Sequence, residues 1–310
     1  MADENKMSET VTTNKGEKKS HLFFDLIIAG LIIVVLILVD LFVINLKSSP
    51  ADLWAEKWQN NGDAGQDSLS NSIIEYQDIT SENVFVPILN FHHIAQAPAG
   101  VSAVTKTYYI TPDHFENIII DLIAADYEFV FVSEIIDFLQ DKQLPTKQII
   151  AITFDDGNKD FYTNAWPILQ QYKVKSSVYV MTGVGGDNYL NEAEIIEIVK
   201  SGLGEVGSHT IWHPKLTQIS AEQRLKELEI SKDDLESLLN REIKVIAYPY
   251  GLYNEDVKSL AQAIGYEAGL TFDQDAWQKV ADLMELKRIS VYPNLNVIKF
   301  LNKLKEININ

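Results

Sequence analysis

An α/β fold is what this sequence predicts: parallel strands curled into a distorted, incomplete (β/α) barrel, preceded by a single N-terminal transmembrane helix. Three observations carry that expectation. From Val84 onward, short apolar runs alternate with amphipathic stretches of helical period, and repeated βα units of this kind build a parallel sheet. The residues best suited to chemistry, Asp155, Asp156, His209 and Pro249-Tyr250-Gly251, fall at the C-terminal ends of predicted strands, where (β/α) barrels keep their reactive groups. Leu22 to Leu46 is the one strongly apolar segment, and Leu26 to Leu46 as a helix would measure roughly 30 Å, the span of a bilayer core.

Taken in order, residues 1–21 form a polar tail with Lys6, Lys15, Lys18 and Lys19 and little to pack, expected to be disordered and cytoplasmic. Residues 22–46 carry no charge between Leu26 and Val39; Asp25 suits the inner interface, and Asp40 is a cost in the outer third. Lysines ahead of the segment favour an inside N-terminus and an exported C-terminal domain. Ser49-Pro50-Ala51 would also serve as a cleavage site. The segment is therefore a signal anchor in the cell membrane or a removed leader, and either places the remainder outside the cytoplasm. Residues 47–83 read as a stalk, with a short helix around Ala51–Trp58.

The domain then runs over 84–310. Apolar and β-branched runs predict strands at Val84–Phe91, Phe129–Val132, Gln148–Phe154, Ser176–Met181, Glu205–Ser208, Val245–Tyr248, Glu267–Thr271 and Leu286–Val291. Helices are expected at Pro112–Ala125, Ser133–Leu139, Phe161–Tyr172, Glu192–Lys200, Ala221–Asn240, Glu255–Ile264 and Leu295–Leu304. Thr111-Pro112 and Ser220-Ala221-Glu222 supply helix starts, and Gly202 and Gly265 supply stops.

Composition narrows the chemistry. With 310 residues, 46% hydrophobic and 23% charged, the chain can bury a sizeable core. A net charge of −18 excludes nucleic acid as a natural partner and favours a neutral or partly cationic one. There is no cysteine, so any metal must be held by histidine and carboxylate. Thr153-Phe154-Asp155-Asp156-Gly157 follows the apolar run Ile149–Ile152, and Gly207-Ser208-His209-Thr210-Ile211-Trp212-His213-Pro214 places two imidazoles four apart, a spacing that shares a helical face. One carboxylate and two histidines make a three-ligand site with a position left for water, as catalytic zinc requires, and the second carboxylate is free to act as a base. Each motif alone also suits a turn or a pair of structural histidines.

Together, Thr153–Gly157 and Ser208–Pro214 resemble the polysaccharide deacetylase family, the NodB-homology or carbohydrate esterase family 4 group, over roughly Val84 to Ile309. The resemblance implies Asp156, His209 and His213 as ligands of a divalent metal, Zn²⁺ by default, and Asp155 as general base. Ala247-Tyr248-Pro249-Tyr250-Gly251 resembles the family's third motif, Arg-x-Pro-x-Gly, with Ala247 where the Arg would stand. Its Tyr-Pro-Tyr-Gly form resembles the branch acting on poly-N-acetylglucosamine, which implies the Tyr250 N–H as oxyanion donor and Pro249 beside the substrate. Arg288, flanked by apolar residues on a predicted strand, is expected either to replace the missing cation beside Asp155 or to lie on a surface edge.

The same branch takes its general acid from an early strand ending in aromatic-His. Here that is His92, with His93 as the alternative. Asp273-Gln274-Asp275-Ala276-Trp277 matches the fourth motif loosely, and either Asp could orient His92. Trp212, Tyr250 and Trp277 could stack on sugars or simply pack in the core, and His21 and His114 have no constellation around them.

The expected function is metal-dependent hydrolysis of N-acetyl groups on an N-acetylated glycan polymer, peptidoglycan or poly-N-acetylglucosamine. O-acetyl ester or other amide hydrolysis, or glycan binding without catalysis, would use the same scaffold. A glycosidase is disfavoured, since it needs two carboxylates flanking a bond rather than a histidine-rich cluster.

Overall fold

The computed structural model describes residues 74–307. In chain order the strands are β1 (Tyr76–Asp78), β2 (Asn83–Phe85), β3 (Ile88–Phe91), β4 (His93–Ile94), β5 (Tyr109–Ile110), β6 (Glu128–Phe129), β7 (Gln143–Pro145), β8 (Ile149–Phe154), β9 (Ser176–Val180), β10 (Gly204–Ser208), β11 (Val245–Ala247), β12 (Ala268–Leu270), β13 (Trp277–Lys279) and β14 (Ile289–Ser290). The helices are α1 (Ala103–Lys106), α2 (Pro112–Ala124), α3 (Val132–Gln140), α4 (Trp166–Tyr172), α5 (Glu192–Lys200), α6 (Ala221–Leu239), α7 (Glu255–Ile264) and α8 (Val297–Ile307).

The main sheet has the order β12-β11-β10-β9-β8-β3-β14, with β6 also paired to β8, and these pairings are parallel. It curls into an incomplete barrel. Leu286 bridges Leu270 in parallel, while Ile289 and Ser290 pair with Leu89 and Asn90, so one short stretch reaches both sheet edges.

The two-residue period of β8 divides its side chains between two cores. Ile150, Ile152 and Phe154 join Phe91, Phe115 and Trp166 under the helices, whereas Ile149 and Ala151 join Ile88, Tyr179, Ala247 and Leu270 in a second, inner cluster. Thr153 and Asp155 share the phase of Ala151, which carries Asp155 to the inner side; its 1% exposure follows from that phase.

Helix ends follow local chemistry. Asn191 and Glu194 form a capping box on α5, Ser220 and Gln223 form one on α6, and Gly265 ends α7 with φ 102°.

Several elements differ from expectation. The run 84–91 breaks at Val86-Pro87 into β2 and β3, because Pro has no N–H to give a ladder. The strand expected at Phe129–Val132 ends at Phe129, and Val132 opens α3. A π-helical turn, Phe161–Ala165, precedes α4, where Pro167 cannot donate a helical bond. The final helix starts two residues late, at Val297, where the Asn296 side chain accepts the Lys299 N–H.

β1 lies inside the stretch read as a stalk, 47–83, and pairs antiparallel with β7, so the folded unit begins before Val84. Glu75-Tyr76-Gln77-Asp78 is too short and polar to announce a strand whose partner is distant in the chain. The tail 1–21, the transmembrane segment 22–46 and the helix expected at Ala51–Trp58 lie outside the described residues. Among the described residues no helix is long and apolar enough to cross a membrane.

Candidate active site

β8 ends in the turn Asp155-Asp156-Gly157, where Asp156 has φ 71° and Gly157 φ 66°. A Cβ on Gly157 would stand 2.9 Å from Val180 Cγ1, so both conformation and space demand glycine there. Gly157→Ala is expected to destabilise the protein by about 2 kcal/mol, read from urea unfolding.

The Gly207–Pro214 motif is not helical. β10 ends at Ser208, and the chain then loops with Thr210 at φ 67° and His213 at φ 58°. The Thr210 hydroxyl accepts the His213 N–H at 3.0 Å, and Glu227 of α6 accepts the N–H groups of Ile211 and Trp212 at 2.9 and 3.0 Å. Tyr250, on the turn after β11, is left-handed too, with φ 59°. Non-glycine residues in this conformation cost about 1–3 kcal/mol each; three of them, Asp156, His213 and Tyr250, line one cleft, and Thr210 lies on the loop that carries His213 to it.

Those turns bring Asp156, His209 and His213 together, with donor atoms within 4.8 Å of one another. Asp156 Oδ1 stands 3.4 Å from His209 Nε2 and 3.7 Å from His213 Nε2. These separations are long for hydrogen bonds. Around a tetrahedral ion with bonds of about 2.0–2.1 Å, neighbouring donors stand roughly 3.3–3.4 Å apart, so the spacing fits a metal held between them.

The His209 tautomer agrees. Its Nδ1 lies 2.7 Å from the Ala247 carbonyl, which can only accept, so the proton is on Nδ1 and Nε2 faces Asp156 with its lone pair. Burial raises the Asp156 carboxyl, but the surrounding imidazoles outweigh it and leave it well below its usual value. Burial, with help from His209, brings His213 down to about 4, so its ring is neutral at pH 7, the form a metal would need. Burial also lowers His209, yet Asp156 and Asp155 raise it on balance, a preference a bound cation would reverse.

Asp155 does meet Arg288. The guanidinium, 0% exposed, grips both carboxylate oxygens, Nη1–Oδ1 and Nη2–Oδ2, each at 2.8 Å. Its Nε donates to the Thr271 carbonyl at 3.0 Å, and Asn90 Nδ2 donates to Asp155 Oδ2 at 3.2 Å. Burial pushes the Asp155 carboxyl up, but Arg288 and the nearby imidazoles overcome this and hold it below the ordinary value.

His92 follows β3 at the opposite wall of the cleft. Its ring lies 4.7 Å from the Tyr108 ring and 5.6 Å from the Phe272 ring, centre to centre. Burial lowers its pKa against the pull of Asp155 and Asp156. His93 also borders this cleft but has partners of its own: its Nδ1 lies 2.7 Å from Asp160, and its ring stacks on Tyr109 at 4.2 Å. His92, Tyr108, Asp156, His213, Tyr250 and Phe272 enclose a cavity of about 220 Å³.

Neither Asp of the loosely matched motif contacts His92. Asp273 accepts from the Tyr253 hydroxyl and Asp275 pairs with Lys287. Trp277 packs against Phe85, with its indole N–H on the Leu304 carbonyl. Trp212 is open at 64% exposure, and Pro249 is buried beside Tyr250.

Asn90, Phe272, Tyr108 and Glu227 were missed by sequence reasoning. Only Asn90 left a signal, a lone polar residue within the apolar strand Ile88-Leu89-Asn90-Phe91.

Comparison with known proteins agrees with this geometry. The polysaccharide deacetylase family profile matches residues 142–269. The chain is 30% identical over 212 residues to the poly-β-1,6-N-acetyl-D-glucosamine N-deacetylase of Staphylococcus aureus, covering 61% of this chain and 72% of that protein. Among solved structures it resembles the Streptococcus pyogenes deacetylase PplD, determined in complex with acetate, with TM-score 0.65 and 31% identity, covering 71% of this chain and 98% of that one. It also resembles a Bacillus cereus polysaccharide deacetylase, with TM-score 0.63 and 26% identity, covering 72% and 69%. Matches of this extent, over the strands that carry the Asp155-Asp156 turn and the His209–His213 loop, show that the chain belongs to the polysaccharide deacetylase family.

Proposed function

We propose that this protein hydrolyses N-acetyl groups from N-acetylglucosamine-type residues of an extracellular or cell-wall polysaccharide, releasing acetate. The observation that carries the reading is the convergence on one cleft of a metal-spaced triad, Asp156, His209 and His213, with Asp155 behind it and His92 facing it. The S. aureus relative, named for a poly-β-1,6-N-acetyl-D-glucosamine activity, and the Tyr248-Pro249-Tyr250-Gly251 sequence favour that polymer over peptidoglycan. A net charge of −18 suits a glycan that becomes cationic as it loses acetyl groups.

A divalent ion on the triad, zinc by its nitrogen and oxygen donors, supplies Lewis acidity and lowers the pKa of water. Asp155 takes the proton of the attacking water. Arg288 and the nearby imidazoles keep its carboxyl ionised against burial, and so able to accept that proton. Arg288 and Asn90 hold its carboxylate in place. The Tyr250 N–H, on a turn held at positive φ, stabilises the oxyanion. His92 protonates the departing amine from its imidazolium form, which burial disfavours and the carboxylates of Asp155 and Asp156 favour. Pro249 and Trp212 lie beside the bound chain.

The test is acetate release from N-acetylglucosamine oligomers by the purified protein, with and without chelator, beside Asp155→Asn. Release that needs both metal and Asp155 supports the reading; release only from O-acetyl esters would replace it with an esterase. His209→Ala is expected to lose bound metal, measured as metal per chain, and to lose acetate release that added zinc does not restore. Segment 22–46 supports a membrane anchor with the catalytic domain outside the cytoplasm, and digestion of the domain by protease added to intact cells would test it.

A further inference from the structure

We propose that Tyr108 is a specificity-determining residue that takes the apolar face of a sugar ring adjacent to the one losing its acetyl group. The inference rests on the glycan reading above. Tyr108 sits at the mouth of the cleft, 37% exposed, with its ring centre 4.7 Å from that of His92. Across the cleft Tyr250, 49% exposed, lies with its ring centre 4.5 Å from that of His213. Two half-open aromatic rings thus flank the reacting groups, one beside the proposed acid and one beside the proposed metal ligands. An aromatic ring with an open face and a polar tip suits a sugar, which offers C–H groups on its faces and hydroxyls at its rim.

The placement of Tyr108 is built rather than incidental. Its carbonyl accepts the His93 N–H at 3.1 Å, and the next residues pair in register, His93 with Tyr109 and Ile94 with Ile110. The His93 ring lies flat on Tyr109, 9° from parallel. Asp160 then ties the strand down, with Oδ2 2.7 Å from His93 Nδ1 and Oδ1 accepting the Ile94 N–H at 3.0 Å. The residue beside the proposed acid therefore holds Tyr108 against that acid. With its backbone fixed in this way, Tyr108 has only its own side-chain rotamers to order when a ligand stacks on it.

Acetate release from β-1,6-linked N-acetylglucosamine dimers through pentamers, with the acetyl ester of 4-methylumbelliferone as a substrate lacking sugar, tests the proposal on wild type, Tyr108→Ala and Tyr108→Phe. Tyr108→Ala is expected to raise KM for the pentamer about tenfold, with a smaller change in kcat, and to lose more on the pentamer than on the ester. Tyr108→Phe is expected to recover most of the wild-type preference for longer chains. An equal loss on all substrates would make Tyr108 a support for His92 and overturn the proposal, as would an unchanged pentamer KM. Wild type that releases no acetate from any oligomer would instead overturn the glycan reading, and this inference with it.

Discussion

Replacing Arg288 with Met is expected to destabilise the protein by about 3–5 kcal/mol, because it leaves Asp155 buried without its partner. The pair is enclosed at 0% side-chain exposure on both sides, and among the described residues Asn90 is the one further side-chain donor to the carboxylate. Arg288→Lys should recover only part of the loss, since an ammonium cannot supply the two parallel bonds. Removing both charges in Arg288→Met/Asp155→Leu should give a protein more stable than Arg288→Met alone, though inactive.

The sign of the pH effect follows from the direction of the Asp155 shift. Its folded pKa lies below the unfolded value, so the stabilisation is complete above about pH 3.9 and fades as pH falls through the folded value. In Arg288→Met burial is opposed by the imidazoles without the guanidinium, so the carboxyl pKa rises from its wild-type value and the variant sheds its unpaired charge more readily in acid. The gap between wild type and Arg288→Met should therefore narrow in acid. Urea unfolding at pH 7 and pH 4 measures it, and a gap that stays constant would show that lost packing, not the ion pair, is what Arg288 contributes.

His92→Ala is expected to lower kcat by about 10²–10⁴-fold while bound metal stays at the wild-type level, because the leaving amine loses its proton source. His92 packs on Tyr108 and Phe272, and its ring makes no metal-spaced contact with the triad. His93→Ala removes the Asp160 contact and should cost less in kcat. Steady-state kinetics on one N-acetylglucosamine oligomer compares the two. A larger kcat loss in His93→Ala would move the acid role to His93.

Much of this protein could be read before its structure, where the signal was local. Strand β8 and the Val178–Val180 half of β9 showed as apolar runs, and α5 and α7 appeared at their predicted bounds because Asn191, Asn254 and Gly265 start and stop a helix through bonds within a few residues. The motifs of Asp155, Asp156, His209 and His213 were legible because their order and strand-end position are written in the chain itself. What the tertiary structure alone decided is which residues meet. The sequence left Arg288 between a buried partner for Asp155 and a surface strand; the curl that carries Leu286–Ser290 from β12 to β3 turned it inward. The sequence put His92 ahead of His93 only by its match to the motif; both line the cleft, but Asp160 and Tyr109 engage His93 and leave the His92 ring against Tyr108 and Phe272. Tyr108 and Glu227 gave no local sign, since each acts on a partner many residues away. Such contacts depend on sheet order and curvature, which arise from burial summed over the whole domain rather than from the pattern of any one segment.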